Sequence, residues 1–232
     1  MKAVILTGGK GTRLAPYTTV LPKPLLPIGD IPILLIILRQ LKNYGFTEVI
    51  LACGFLSELV QAYIMNNRIS KELKIVFHQE EEPLGTAGAL ASIEGIRDEP
   101  FLVMNGDILT TLNYMKVVEN HKATGAAITI AVTQKKVQVE LGVLNMNEKN
   151  EVVDYDEKPT KYYPASMGIY IYDPRALNGV KQNQYLDAPT LFLNLIKEGE
   201  KVVGYPSEEF WLDMGNKSDY ERAVIEFEDN KS

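Results

Sequence analysis

The 232-residue chain contains one cysteine, Cys53, and two histidines, His78 and His121. A lone thiol cannot close an intrachain disulfide, and two imidazoles are too few for most zinc sites. Neither histidine has a partner at metal-ligand spacing, and Cys53 lies in an apolar stretch without the glycines of a nucleophile elbow. Zinc hydrolysis and acyl transfer are therefore set aside. The low cysteine content points to a cytoplasmic setting. Long apolar runs are lacking as well: the longest, residues 31–38, is broken by Pro32 and falls short of the ~18 residues that cross a membrane. The opening MKAVILTGG shows no cleavable signal pattern. Positive charge is in deficit, 24 Lys and Arg against 30 Asp and Glu, for a net charge of −6. Such a surface suits a nucleic-acid backbone poorly. An anionic small ligand remains compatible where basic side chains and backbone amides gather locally. With 46% hydrophobic residues, the chain is not of the disordered type.

Apolar runs and helical periodicities alternate through the first half. Strands are expected over 2–7, 48–53, 73–77, 100–104 and 126–132. Helices are expected over 32–44, 58–65, 86–93 and 113–121, the first with Asp30 as N-cap and Gly45 as stop. Alternation of this kind implies parallel βαβ units with helices on both faces of a sheet. Beyond Lys135 short strands dominate, over 141–145, 152–155, 167–172 and 201–205, with helices over 187–197 and 217–228. No repeat or linker interrupts the chain. The expectation is a single α/β domain, residues 1–232, with a Rossmann-like, mixed but mostly parallel sheet. Its nucleotide-binding half would span about 1–135 and its second-substrate half about 136–232.

The first strand runs into Gly8-Gly9-Lys10-Gly11-Thr12-Arg13-Leu14. In an open α/β sheet, ligands bind beyond the carboxyl ends of the strands, and glycines let backbone amides approach phosphate oxygens. Leu14 stands where a dinucleotide fingerprint needs its third glycine, and Gly11 follows Lys10 where a P-loop needs Ser or Thr. Arg13 closes the loop, and Lys23 follows between Pro22 and Pro24, which should hold it in an extended segment. Two cations at the rim of a glycine loop suit a polyphosphate. His121, at the end of its expected helix, reads as a structural cation suited to the helix dipole.

The stretch GGKGTRLAPYTTVLPKPLLPIGD resembles the nucleotidyltransferases that activate sugar 1-phosphates, whose hallmark is GGxGTRLxPxTxxxPKPLxPI. The resemblance continues through EEPLGTAGAL at 81–90, NGD at 105–107, DEKP at 156–159 and WLDMG at 211–215. It implies the GT-A-like architecture of that family. The implied reaction is NTP plus sugar 1-phosphate giving NDP-sugar plus pyrophosphate, with Mg²⁺ on Asp107 and Asp213. By the same resemblance, Leu6, Gly8, Gly9, Gly11, Thr12, Arg13, Lys23, Glu80, Gly85 and Thr86 would bind the nucleotide. Asn105, Gly142, Glu157, Lys158 and Ser166 would bind the sugar phosphate. Arg13, Lys23, Asp107 and Asp213 would carry the chemistry, and the family pattern leaves room for a homodimer. One departure stands out: many relatives have Asn where this chain has Ser166, which alters a sugar-hydroxyl contact.

Glu80, Glu81 and Glu82 precede Gly85. Guanine offers two donors on its pairing edge and a carboxylate can accept both, whereas uracil and thymine offer one. GTP is the favoured nucleotide on this ground. A mannose or manno-heptose 1-phosphate is the favoured acceptor, in the manner of short relatives that lack a β-helix domain. Uridylyl, thymidylyl or cytidylyl transfer to a glucose-type or amino sugar is the alternative within the class, and a non-catalytic regulatory homologue is the alternative outside it.

Overall fold

The computed structural model describes residues 1–80 and 82–229; Glu81, one of the three acidic residues before Gly85, lies outside them. Seven strands make the central sheet: β1 Lys2–Leu6, β2 Glu48–Cys53, β3 Lys74–Gln79, β4 Phe101–Asn105, β5 Ile128–Gln138, β6 Thr160–Tyr172 and β7 Val202–Pro206. Their order is β7-β5-β6-β4-β1-β2-β3. β4, β1, β2 and β3 pair in parallel, as do β5 and β7, and β6 runs antiparallel to both β4 and β5. The sheet is mixed and mostly parallel, as the alternation of elements predicts. β6, from the second half of the chain, is inserted between β4 and β5 of the first.

Period-2 alternation in the strands sorts their side chains to two cores. Ala3 and Ile5 face one side with Val49, Leu51, Leu102 and Met104; Val4 faces the other with Ile50, Ala52, Phe101 and Val103. The first face is covered by α1 (Ile33–Asn43), α2 (Ser57–Met65), the short α3 (Ile69–Glu72) and α5 (Tyr114–Thr124). The second is covered by α4 (Gly85–Ser92) and α6 (Ala188–Lys197), and α7 (Lys217–Asp229) closes the chain. α1 buries Ile33, Leu34, Leu35, Ile37, Leu38 and Leu41. At ~1.5–3 kcal/mol for each fully buried aliphatic side chain, that stripe anchors the helix. Asn113 caps α5 by accepting from the Met115 and Lys116 amides, and Asp187 caps α6 by accepting from the Thr190 amide.

Three expectations are corrected. Asp30 is not the cap of α1, because Ile31–Pro32 first pairs antiparallel with Pro27–Ile28 and the helix starts directly after Pro32. Lys23 is not extended: Lys23–Leu25 forms a 3₁₀ turn, closed by the Leu25 amide on the Pro22 carbonyl (2.8 Å) and the Leu26 amide on the Lys23 carbonyl (3.0 Å). Pro24 lies where no amide is needed, so only Pro22 keeps the extended backbone. His121 does not end its helix as a cation. α5 continues to Thr124, with Gly125 (φ 61°) as the stop, while His121 is buried with Nδ1 2.9 Å from Thr129 Oγ1. Burial holds its pKa down, which leaves the ring neutral at pH 7.

Candidate active site

The carboxyl ends of β1, β2, β3 and β4 open into one cleft of about 820 Å³. Backbone hydrogen bonds run past the strand ends into its floor: the Thr7 amide to Ala52 O (2.8 Å), the Gly106 amide to Leu6 O (2.9 Å) and the Glu80 amide to Cys53 O (3.1 Å). The turns that leave these strands therefore approach one another closely. A Cβ at Gly54 would lie 2.8 Å from Gly8 O, and one at Gly106 would lie 2.8 Å from Thr7 Cγ2. At Gly54 only glycine fits without a backbone shift; at Gly106 a side chain would have to displace Thr7 and would press on Leu6 O at 3.0 Å.

The sequence-predicted nucleotide residues Leu6, Gly8, Gly9, Gly11, Thr12, Arg13, Lys23, Glu80, Gly85 and Thr86 all line this cleft, joined by Asn105 and Asp107. Gly11 is left-handed (φ 62°), and a Cβ there would meet Thr18 Cγ2 at 2.9 Å; the loop turns sharply and leaves Gly9 open to the cleft. Cys53, behind it, is buried, accepts from Thr7 Oγ1 at 3.3 Å and has its thiol pKa pushed up by burial, so it is inert.

Glu80 is more than a solvated loop charge. Its Oε2 accepts from the Leu84 amide at 3.1 Å, and its Oε1 points toward Gly8, 3.6 Å from where a Cβ would stand. Glu82 also lines the cleft. Gly85 and Thr86 have a second duty. The Ala87 and Gly88 amides both donate to Leu186 O (2.9 Å), Thr86 Oγ1 accepts from the Ala188 amide (2.7 Å), and a Cβ at Gly85 would lie 2.7 Å from Leu186 O. The second half of the chain thus braces residues 84–88 from behind.

Asp107 and Asp213, 106 residues apart in sequence, are brought together by a small ribbon. Trp211–Asp213 pairs antiparallel with Ile108–Thr110, placing Asp213 opposite Ile108, and the Met214 amide donates to Asp107 O at 3.1 Å. Each aspartate has one carboxylate oxygen, Oδ1, that is buried without a hydrogen-bond partner. Burial, and then the neighbouring Asp107 charge, push the Asp213 pKa up, while Lys23 and Arg13 oppose the shift. Lys23 Nζ donates to the other oxygen of Asp107. The Arg13 guanidinium and the Asp213 carboxylate flank Gly215 at 3.7 and 3.5 Å from its Cβ position. Two carboxylates that repel each other, each with an oxygen aimed at no donor, fit a hard divalent cation whose other ligands are phosphate and water. Among the described residues no third His, Cys, Asp or Glu completes a protein-only metal cage.

The sugar-phosphate residues are not gathered in the same way. Asn105 is in the cleft, and its Nδ2 lies 2.7 Å from the Cβ position of Gly168 (φ 69°), inside a register shift between Ser166 and Tyr170. Ser166 Oγ accepts from the Gly168 amide and donates to Tyr170 Oη, both at 3.1 Å, so its hydroxyl shapes this bulge. Trp211 Nε1 holds it from behind through Met167 O at 2.8 Å. Gly142, Glu157 and Lys158 lie outside the cleft lining, on the exposed ribbon of Val143–Met146 and Val152–Asp156 and its flanking turns. There Tyr155 Oη donates to Glu157 Oε2 at 2.6 Å and covers Gly142, while Lys158 is left-handed (φ 48°).

Sequence reasoning missed Gly54, Phe55 and Gln79 in the cleft lining. A signal for two of them was present. Gly54 directly follows a predicted strand, and Gln79 follows another by two residues, where the strand-end rule puts ligands.

Comparison with known proteins accords with this geometry. A mannose-1-phosphate guanyltransferase of Aspergillus oryzae is 34% identical over 227 residues, covering 95% of this chain and 62% of that protein. Mannose-1-phosphate guanylyltransferase 1 of Arabidopsis thaliana is 34% identical over 228 residues, covering 95% and 63%. The chain thus spans less than two thirds of the length of these curated relatives. Among solved structures, HddC from Yersinia pseudotuberculosis superposes with a TM-score of 0.73 at 24% identity, covering 97% of this chain and 99% of that one. A putative glucose-1-phosphate thymidylyltransferase from Bacillus anthracis gives 0.74 at 23%, covering 97% and 94%. Both share the fold. The family description "Nucleotidyl transferase" matches residues 2–230, and the chain belongs to that family.

Proposed function

We propose that the protein transfers a nucleoside monophosphate from an NTP, GTP by preference, to a sugar 1-phosphate of the mannose or manno-heptose type, releasing pyrophosphate. The observation that carries this reading is the Asp107–Asp213 pair, with its two unbonded buried oxygens, beside Arg13 and Lys23; Asp107, Arg13 and Lys23 line the glycine-rich cleft, and Asp213 adjoins them from outside its lining. Names of relatives support guanylyl transfer to mannose 1-phosphate. A cytoplasmic setting accords with the single, buried, unpaired Cys53.

In this reading a sugar-phosphate oxygen forms a bond to the α-phosphorus of the nucleotide, and the bond from that phosphorus to the β-phosphate oxygen breaks. A sugar phosphate is already dianionic near pH 7, so no general base is required. The protein positions the reactants and neutralises charge. Backbone amides of the Gly8–Gly11 loop receive the phosphates. Arg13, whose planar fork reaches two oxygens at once, stabilises the charge that grows on departing pyrophosphate. Asp107 and Asp213 would hold Mg²⁺, which supplies Lewis-acid polarisation and charge neutralisation when bound. The free Oε1 of Glu80 is the acceptor for guanine N1–H or the N2 amine. A pyrimidine carbonyl there would face a carboxylate with nothing to donate. Lys158 and Glu157, on the ribbon, would receive the sugar phosphate and its hydroxyls.

The test is pyrophosphate release across five nucleoside triphosphates and several sugar 1-phosphates, with and without Mg²⁺. Release with GTP and a manno-configured sugar phosphate above all other pairs is expected. A preference for UTP or dTTP would replace the guanine assignment, and no release with any pair would favour a non-catalytic sugar-nucleotide-binding role.

A further inference from the structure

The Lys23–Asp107 ion pair is unlike the surface pairs of the molecule. Its side chains are only 11% and 21% exposed, and it lies inside the cleft among the groups proposed to meet phosphate. Both backbones are fixed. Lys23 sits in the 3₁₀ turn between Pro22 and the buried Pro24 and Leu25, while Asp107 is tied through the Gly106 and Met214 amides. Whatever rearranges here is therefore the four-carbon stem and ammonium of Lys23, the compact, flexible cation bonded to Asp107.

Charge decides when it moves. Asp107 and Asp213 carry negative charge in a half-buried place, Asp219 adds to it nearby, and Lys23 and Arg13 offset it. Removing the cation from Asp107 without a substitute leaves an uncompensated charge, which is costly. Adding a divalent cation while Lys23 stays sets it against an ammonium already bound to the same carboxylate. A triphosphate resolves the conflict, because it offers Lys23 a second anionic partner in the same cleft.

From this we infer that Lys23 and the divalent cation are alternative counter-ions of Asp107, and that nucleotide binding exchanges one for the other. The inference rests on the reading that Asp107 and Asp213 hold the metal. Without nucleotide, Lys23 occupies Asp107 and the carboxylate pair binds divalent cations weakly. With nucleotide, the ammonium turns to the phosphates, Asp107 is released, and both of its oxygens are open to metal. Nucleotide and metal then bind with positive coupling, and the coupling is reciprocal. Arg13 takes no part in the exchange, since it flanks Asp213 across Gly215 and is not bonded to Asp107.

The experiment is a Mn²⁺ titration of the nucleotide-free protein, read from loss of the free-ion electron paramagnetic resonance signal. Wild type, Lys23→Gln, Arg13→Gln and Asp107→Asn are compared after circular dichroism confirms folding. Lys23→Gln is expected to bind Mn²⁺ at least roughly tenfold more tightly than wild type, with a clearly smaller shift for Arg13→Gln and weaker binding for Asp107→Asn. Should Lys23→Gln not fold, Lys23→Ser carries the same expectation. Unchanged affinity in the Lys23 variant, with Asp107→Asn still weakened, would overturn the exchange and leave the metal assignment standing. An equal gain in Arg13→Gln would also overturn it, because general charge loss would then suffice. If Asp107→Asn binds like wild type, the metal assignment itself falls and takes the exchange with it.

Discussion

The two regions proposed to share this protein's chemistry are built on different physical footings. At the nucleotide end, four parallel strands stop side by side, and their turns meet so closely that Gly54 admits no side chain and Gly106 leaves little room for one. Asp107, Asp213 and Glu80 are each positioned there by main-chain hydrogen bonds of their own or an adjoining residue. The ribbon that carries Gly142, Glu157 and Lys158 projects from the sheet with no core beneath it. Leu141, Val153 and Tyr162 on and around it are 73%, 65% and 63% exposed. Phosphoryl chemistry depends on charges held in place before the reaction begins, so the rigid strand ends suit it. In the proposed reading, recognition of the acceptor falls to a segment with few buried contacts, which opens at low free-energy cost. The Ser166 departure from the family pattern falls in neither place but in the β6 bulge beside Asn105.

If the comparison is right, substitutions at the strand ends cost more than those on the ribbon. Asp107→Ala should lower turnover by at least ~10² with an unchanged circular dichroism spectrum, because the carboxylate is presented to a cation and not packed in the core. Near-normal Mg²⁺-dependent turnover in this variant would break the comparison at its strongest point. Glu80→Gln should erode preference for GTP over UTP and dTTP on the order of ten- to a hundredfold in mixed-nucleotide competition, the value of one charge-assisted hydrogen bond. An unaltered preference would return Glu80 to a bracing role through Leu84 alone.

Arg13→Lys should reduce the turnover number roughly tenfold while nucleotide binding changes less, since lysine keeps the charge and loses the fork. A raised KM with unchanged kcat would reassign Arg13 to ground-state binding. The smallest effect is expected on the ribbon. Tyr155→Phe deletes the hydrogen bond to Glu157 and should raise KM for the sugar phosphate roughly twofold to tenfold, leaving KM for the nucleotide unmoved. A large loss of kcat there would show that the ribbon shares the rigid footing of the strand ends.

Much of the strand-end region was legible in the sequence because its signals are local. Short apolar runs ending in glycine mark β1 and β4, and the strand-end rule then places the Gly8–Gly11 loop and Asp107 at one edge. The meeting of Asp107 with Asp213 was legible only through the family resemblance, since no spacing rule links residues joined by an antiparallel ribbon. The length of β6 was not legible. Its first half, Thr160–Ser166, pairs with β5 yet is mostly exposed on both faces, so it lacks the alternation by which strands are recognised. The ion pair of Lys23 with Asp107 was hidden for a similar reason: flanking prolines suggest an extended lysine, whereas hydrogen bonds to Pro22 and Lys23 carbonyls close a turn that aims it into the cleft.

The measurement that bears most directly on nucleotidyl transfer is ³¹P NMR of the protein with GTP, mannose 1-phosphate and Mg²⁺. Attack at the α-phosphorus predicts two coupled resonances of a diphosphate diester growing in step with a pyrophosphate signal, and none of these when Asp107→Ala replaces wild type. Orthophosphate and GDP as the only products, with no diester formed from this or any other nucleotide and sugar 1-phosphate, would contradict it.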